Sequence, residues 1–90
     1  MTCEAVVPRL RPGVKFRFDA ARAAWVLLAP ERVFQPDAVA SEVLRRVDGE
    51  RTLGAIIDDL ADAFSAARPT IAADVAAMLR DLAGKGVVSL

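Results

Sequence analysis

The sequence contains no histidine, no tyrosine and a single cysteine, Cys3. No internal disulfide can form, as expected for a chain kept in a reducing compartment. Without histidine the chain lacks the commonest general base and metal ligand. The lone cysteine has no visible activating neighbour, and Ser41, Ser65 and Ser89 have no partners for a catalytic triad. No apolar run approaches the roughly 18 residues of a membrane span. The first residues, Met-Thr-Cys-Glu, lack the basic start and apolar stretch of a signal peptide. Charge of a dominant sign is also missing: twelve basic residues face twelve acidic ones.

What is present is apolar surface. Ninety residues with 54% apolar content suffice for one small core. The balanced charge is unevenly spread. Residues 1–35 carry six Arg/Lys and three Asp/Glu, and residues 36–90 carry six and nine. The first part is therefore +3 and the second −3, a field able to orient a partner. Lys15, Arg17 and Arg32 would favour an acidic peptide segment. Asp58, Asp59 and Asp62 would face another protein.

Residues 1–13 read as a flexible arm, broken by Pro8, Pro12 and Gly13. Residues 14–90 read as one domain. Strict alternation over residues 14–19 predicts a half-buried strand with Val14, Phe16 and Phe18 inward. A continuous apolar strand over residues 24–29 follows, then a third over residues 31–35. A Pro30-Glu31 turn separates the last two, and Pro36 ends the meander. Helical sequence follows at once, so the outer edge of the third strand has no nearby partner. An open edge is a row of unpaired N–H and C=O groups able to accept an extended peptide.

Three helices are predicted, over residues 37–48, 52–65 and 70–84. Asp37 and Thr52 are suited to cap the first two. Val39, Val43, Leu44 and Val47 share one face of the first. Leu53, Ile56, Ile57, Leu60, Ala61 and Phe64 form the apolar stripe of the second. Pro69 and Thr70 open the third, whose inner face is Ile71, Val75, Met78, Leu79 and Leu82. Val87-Val88 can add a terminal strand. The fold class is α+β: an N-terminal three-stranded antiparallel sheet followed by a three-helix unit, like a winged helix-turn-helix with its strands first.

Other residues read conservatively. Trp25 is a core aromatic, with peptide contact as the sharper reading. The three aspartates of the second helix are a solvated face rather than a metal site, because helical spacing does not converge them on one ion. Arg45, Arg46 and Arg51 suit the negative end of the first helix. Met78 belongs to the core, and its flexibility also suits an adaptable groove. Cys3 is incidental.

Three motifs, Pro8-Arg9-Leu10-Arg11-Pro12-Gly13-Val14, Trp25-Val26-Leu27-Leu28-Ala29-Pro30-Glu31-Arg32-Val33 and Asp48-Gly49-Glu50-Arg51-Thr52-Leu53, resemble those of the PqqD family of pyrroloquinoline quinone biosynthesis. The resemblance runs from Pro8 to Val88. It implies a cytoplasmic, non-catalytic peptide chaperone without a cofactor. Such a protein binds the precursor peptide PqqA and presents it to the radical S-adenosylmethionine enzyme PqqE. It also implies a peptide strand added at the third β-strand and lying against the third helix. The implied site residues are Arg32, Val33, Phe34, Gln35, Ile71, Asp74, Val75 and Met78. Asp37-Ala38-Val39 departs from the Asn-x-Thr or Asn-x-Ser that begins the first helix in many relatives.

The alternatives are a small winged-helix DNA-binding protein, a recognition domain of another ribosomal-peptide pathway, and a structural subunit that dimerises through its edge. The third helix offers only Arg80 and Lys85 against Asp74 and Asp81, a weak basis for neutralising phosphates. No nucleic acid or membrane is expected as a partner. Monomer and strand-exchanged homodimer are both compatible with an open edge.

Overall fold

The computed structural model describes residues 4–90; Cys3 lies outside the described residues. Eight elements follow in order: β1 (Arg9–Leu10), β2 (Lys15–Asp19), β3 (Ala24–Ala29), β4 (Arg32–Phe34), α1 (Ala38–Leu44), α2 (Leu53–Ala63), α3 (Arg68–Gly84) and β5 (Val88–Ser89). Strands β2, β3 and β4 form the antiparallel meander, with β3 central. The α+β reading of a three-stranded sheet followed by three helices describes this architecture.

Alternation on β2 is only partly reflected in burial. Val14 is buried just before the strand and Phe16 is half-buried, but Phe18 is 52% exposed. Phe18 packs edge-on against Trp25, which stacks on Phe16 with ring centroids 4.8 Å apart. The aromatic row thus runs off the end of the core. On β3, Val26 and Leu27 are both buried although they point to opposite faces.

The helix caps match the expected chemistry. Asp37 Oδ1 accepts the Ala40 N–H at 2.8 Å, and Thr52 Oγ1 accepts the Ala55 N–H at 3.1 Å. The first helix ends at Leu44, earlier than residue 48. Its continuation tightens: Arg46 N–H donates to Val43 O and Val47 N–H to Leu44 O, each three residues back. Gly49, at φ +78°, then reverses the chain, and Asp48 Oδ1 accepts the N–H groups of Glu50 and Arg51. The second helix ends at Ala63, so Phe64 falls beyond the stripe that its spacing suggested.

The largest difference from expectation concerns residues 4–13, which lie on the domain. Pro12 and Gly13 do break regular structure, but they do so as a turn closed by Val14 N–H on Arg11 O, with Gly13 at φ +84°. Upstream of that turn, β1 pairs with β5 in a separate two-stranded sheet, Leu10 opposite Val88. The terminal strand expected at Val87-Val88 finds its neighbour there, not in the meander. Pro8 is fully buried.

The same segment completes α2. The first N–H groups of a helix have no partner within it. Here Leu53 N–H donates to Val6 O, Gly54 N–H donates to Glu4 O, and Thr52 serves Ala55. Gly54 permits this approach, because a Cβ there would meet Glu4 at 3.2–3.4 Å. Arg68 then ties the segment to α3 and α2 by ion pairs with Glu4 and Asp58. The core beneath comprises Val14, Leu27, Val43, Leu44, Val47, the four large residues of α2, Val75, Leu79, Val87 and Val88.

The hydrogen bond from Arg68 holds the Glu4 carboxyl below its usual value. A depressed folded-state value contributes stability above the ordinary glutamate value, about 4.3, that is lost as pH falls through the folded value. Glu4→Gln is therefore expected to melt slightly below the wild type at pH 7, with the gap closing at pH 3. Thermal melts at both pH values check this.

Candidate functional site

The sheet leaves one edge leading directly to a cavity. A two-residue turn at Pro30-Glu31 joins β3 to β4. In such a hairpin the closing pair, Ala29 and Arg32, is hydrogen-bonded, and Phe34 repeats that role opposite Leu27. Val33 lies between them and turns its N–H and C=O away from β3. No backbone group among the described residues bonds that outer edge. The Val33 side chain is 54% exposed on the sheet face. β2 is the other edge strand of the meander, and its Lys15 and Arg17 are exposed.

Beyond Phe34 the chain passes through Gln35 and Pro36 to Asp37, at the mouth of a cavity of about 370 Å³. Helix α1 contributes Val39, Ala40 and Val43. Leu60 and Phe64 come from α2 and its C-cap, and α3 contributes Ile71, Asp74, Val75 and Met78. Asp37 and Asp74 are the charged members of an otherwise apolar lining. Leu60, Val43 and Val75 are buried and form the floor. Val39, 66% exposed, and Phe64, 49% exposed, stand as walls with one side open to water.

Four sequence-predicted residues, Ile71, Asp74, Val75 and Met78, are brought together in this cavity. Arg32, Val33, Phe34 and Gln35 do not line it; the first three form β4, shorter than the strand expected over residues 31–35, and Gln35 follows it on the way to the rim. Phe34 packs against the core from the sheet side. Val39 and Phe64 were assigned to inward faces by periodicity, and that is why the sequence did not mark them as site residues. Both sit at helix ends, where the apolar stripe overshoots the core.

Trp25 lines a separate cavity with Leu10, Phe16, Leu44, Arg45 and Val47. The Arg45 guanidinium sits 5.6 Å from its ring, within cation–π range. The aspartates of α2 are not a bare solvated face. Asp59 pairs with Arg46 and Arg51, and Asp58 with Arg68. Hydrogen bonding from Arg46 holds Asp59 below the usual carboxylate range. Arg46 also donates to Glu42 O, satisfying a carbonyl near the end of α1. Among the described residues no group of three or more acidic or thiol side chains is placed to hold a metal ion.

The family model for coenzyme PQQ synthesis protein D (PqqD) matches residues 24–88. The chain belongs to the PqqD family. Among curated PqqD relatives, the PqqA binding protein of Rhodopseudomonas palustris strain BisB5 is 51% identical over 86 residues, 96% of this chain and 84% of that one. The PqqA binding protein of Xanthomonas oryzae pv. oryzae is 45% identical over 92% of this chain and 90% of that one. The fold is similar to the solution structure of the PqqD truncation of Methylobacterium extorquens PqqCD, a functional, stand-alone recognition element for ribosomally synthesised and modified peptides. That chain is 42% identical with a TM-score of 0.82, covering all of this chain and 96% of that one. The crystal structure of PqqD from Xanthomonas campestris is 39% identical with a TM-score of 0.62 over the whole of both chains.

The division of the cavity into floor and walls has a measurable consequence. Val39→Ser removes apolar surface already in water and is expected to change stability by no more than about 0.5 kcal/mol. Leu60→Ala opens the floor and is expected to cost about 2–5 kcal/mol. Urea unfolding of the two variants checks the contrast; equal losses would place Val39 in the core.

Proposed function

We propose that this chain is a peptide chaperone of pyrroloquinoline quinone biosynthesis. It binds the precursor peptide PqqA and presents it to the radical S-adenosylmethionine enzyme PqqE in the cytoplasm. The observation that carries the reading is the unpaired outer edge of β4, followed through Gln35 and Pro36 by Asp37 at a largely apolar cavity lined by α3. An extended peptide would pair its backbone with Val33 and Gln35 and lay side chains toward Ile71, Asp74, Val75 and Met78. Backbone pairing supplies affinity largely independent of sequence, and the cavity supplies selection. Relatives named as PqqA binding proteins, and a recognition element similar over the whole chain, support this assignment.

The role is non-catalytic. No pair of acid and base converges in the groove: Asp37 is held as a helix cap, and Asp74 stands alone among apolar side chains. The helix that would read DNA in a winged helix-turn-helix protein is poorly equipped for it. Arg68 is engaged with Glu4 and Asp58, and Lys85 with Asp81. No helix among the described residues is long and apolar enough to cross a membrane. The reading holds for a monomer and for a strand-exchanged homodimer that leaves this edge free.

Val33→Pro tests the backbone pairing. Its N–H points away from β3, so the Ala29–Arg32 and Leu27–Phe34 bonds of the hairpin survive the substitution. The variant is expected to bind PqqA about tenfold more weakly, the scale of one lost hydrogen bond, whereas Val33→Ala stays near wild type. Isothermal titration of both folded variants checks this; equal affinities would refute strand addition.

A separate measurement addresses catalysis. Homogeneous protein mixed with PqqA and S-adenosylmethionine, without PqqE, is expected to leave the peptide mass unchanged. A mass change would overturn the chaperone assignment.

A further inference from the structure

The charge at the cavity is one-sided. Its lining includes Asp37 and Asp74 and no Lys or Arg among the described residues. Most other helix carboxylates are matched: Glu42 with Arg45 and Arg46, Asp58 with Arg68, Asp59 with Arg46 and Arg51, Asp81 with Lys85; the exception among the described residues is Asp62 of α2, which lies outside the cavity lining. Asp74 holds no such cation among the described residues. The two acids are not equivalent. Asp37 Oδ1 accepts the Ala40 N–H and faces the positive end of α1, which offsets its charge. Asp74 lies in the second turn of α3, without a cap to make. Beside it the walls Val39 and Phe64 expose apolar surface that only an occupant can remove from water.

We propose that Asp74 is a specificity-determining residue: the groove takes a large apolar side chain of the peptide into the α1–α2–α3 cavity and requires a Lys or Arg beside that anchor. The inference rests on the peptide-binding reading above and adds to it the class of segment recognised. An apolar side chain between Val39 and Phe64 buries their exposed faces and its own surface together. The same occupant displaces water around Asp74 and strengthens its field. A neighbouring cation gains from that field, and a carboxylate there is repelled and partly desolvated as well. The excess of positive charge over residues 1–35 would favour an acidic peptide, but the cavity's own charges select the opposite sign at this position.

A charge-swap titration tests this. Each Lys and Arg of the PqqA peptide is replaced singly by Glu, and each peptide is titrated against wild type and Asp74→Lys. One Glu peptide is expected to bind the wild type about three- to tenfold more weakly, and Asp74→Lys is expected to recover most of that loss for this peptide alone. Val39→Asp, at an exposed wall, is expected to weaken every peptide about tenfold, and Phe64→Ser repeats the test on another element. A flat Lys/Arg scan, or an Asp74→Lys effect that is the same for all peptides, overturns the selection. Unchanged affinity in both wall variants overturns the anchor. If Val33→Pro still weakens binding in those cases, strand addition stands and only this inference falls. If the unmodified peptide does not bind at all, both fall.

Discussion

Burial of one face of α2 holds the domain together. Leu53, Ile56, Ile57 and Leu60 recur at helical spacing and all four are essentially removed from water. Every other layer uses that stripe or the end of the helix that carries it. Val75 and Leu79 of α3, Val43 and Leu44 of α1, Leu27 of the sheet and Val87-Val88 join it in one cluster. At its N-terminus the chain's own residues 4–6 accept the Leu53 and Gly54 N–H groups. At its C-terminus Leu60 and Phe64 enter the cavity. A short helix gains little stability from its backbone alone, so this packing keeps it formed. The candidate groove thus stands on the best-packed element of the domain.

Two features of opposite origin meet at the groove. The open edge follows from covalent order: a two-residue turn commits β4 to one neighbour, and Pro36 with the Asp37 cap turns the chain into α1 before another strand can form. The cavity follows from geometry. Val39, in the first turn of α1, and Phe64, at the C-cap of α2, lie beyond the packed core. A domain that closed either feature would be more stable alone and would offer a peptide nothing. The exposed apolar walls are small enough to remain compatible with a dispersed protein, since isolated apolar side chains on a surface are ordinary.

The legible parts of this structure are those set by local pattern. The α2 stripe, the Asp37 and Thr52 caps, the meander with its Pro30-Glu31 turn and the open third-strand edge all depend on neighbours within a few residues. The PqqD resemblance was legible too, in three short motifs. What pattern could not give was pairing across the chain. β1 is two residues between prolines and has no recognisable signal; it is a strand only because β5 lies beside it. Ion pairing of Arg68 with Glu4 spans 64 positions. Periodicity also cannot say where a helix stops being covered, so Val39 and Phe64 were read as core. Four of the eight site residues line the cavity, three lie on the adjoining strand and Gln35 just after it, because the resemblance named both sides of a groove without saying how deep each side reaches.

Charge makes the same point about scale. The division into a +3 and a −3 part is a real property of the chain and bears on long-range orientation of partners. It does not give the field at the groove. On α2, Asp59 is answered by Arg46 and Arg51 of the α1–α2 connection and Asp58 by Arg68 of α3. Arg32 lies on β4, outside the cavity lining. Asp74, which has no ion pair among the described residues, brings its charge to a largely apolar lining. A peptide drawn in by the average field and one retained by the local field would therefore differ in charge at that position. For a recognition domain, that difference would be a means of choosing one segment of an extended chain over its neighbours.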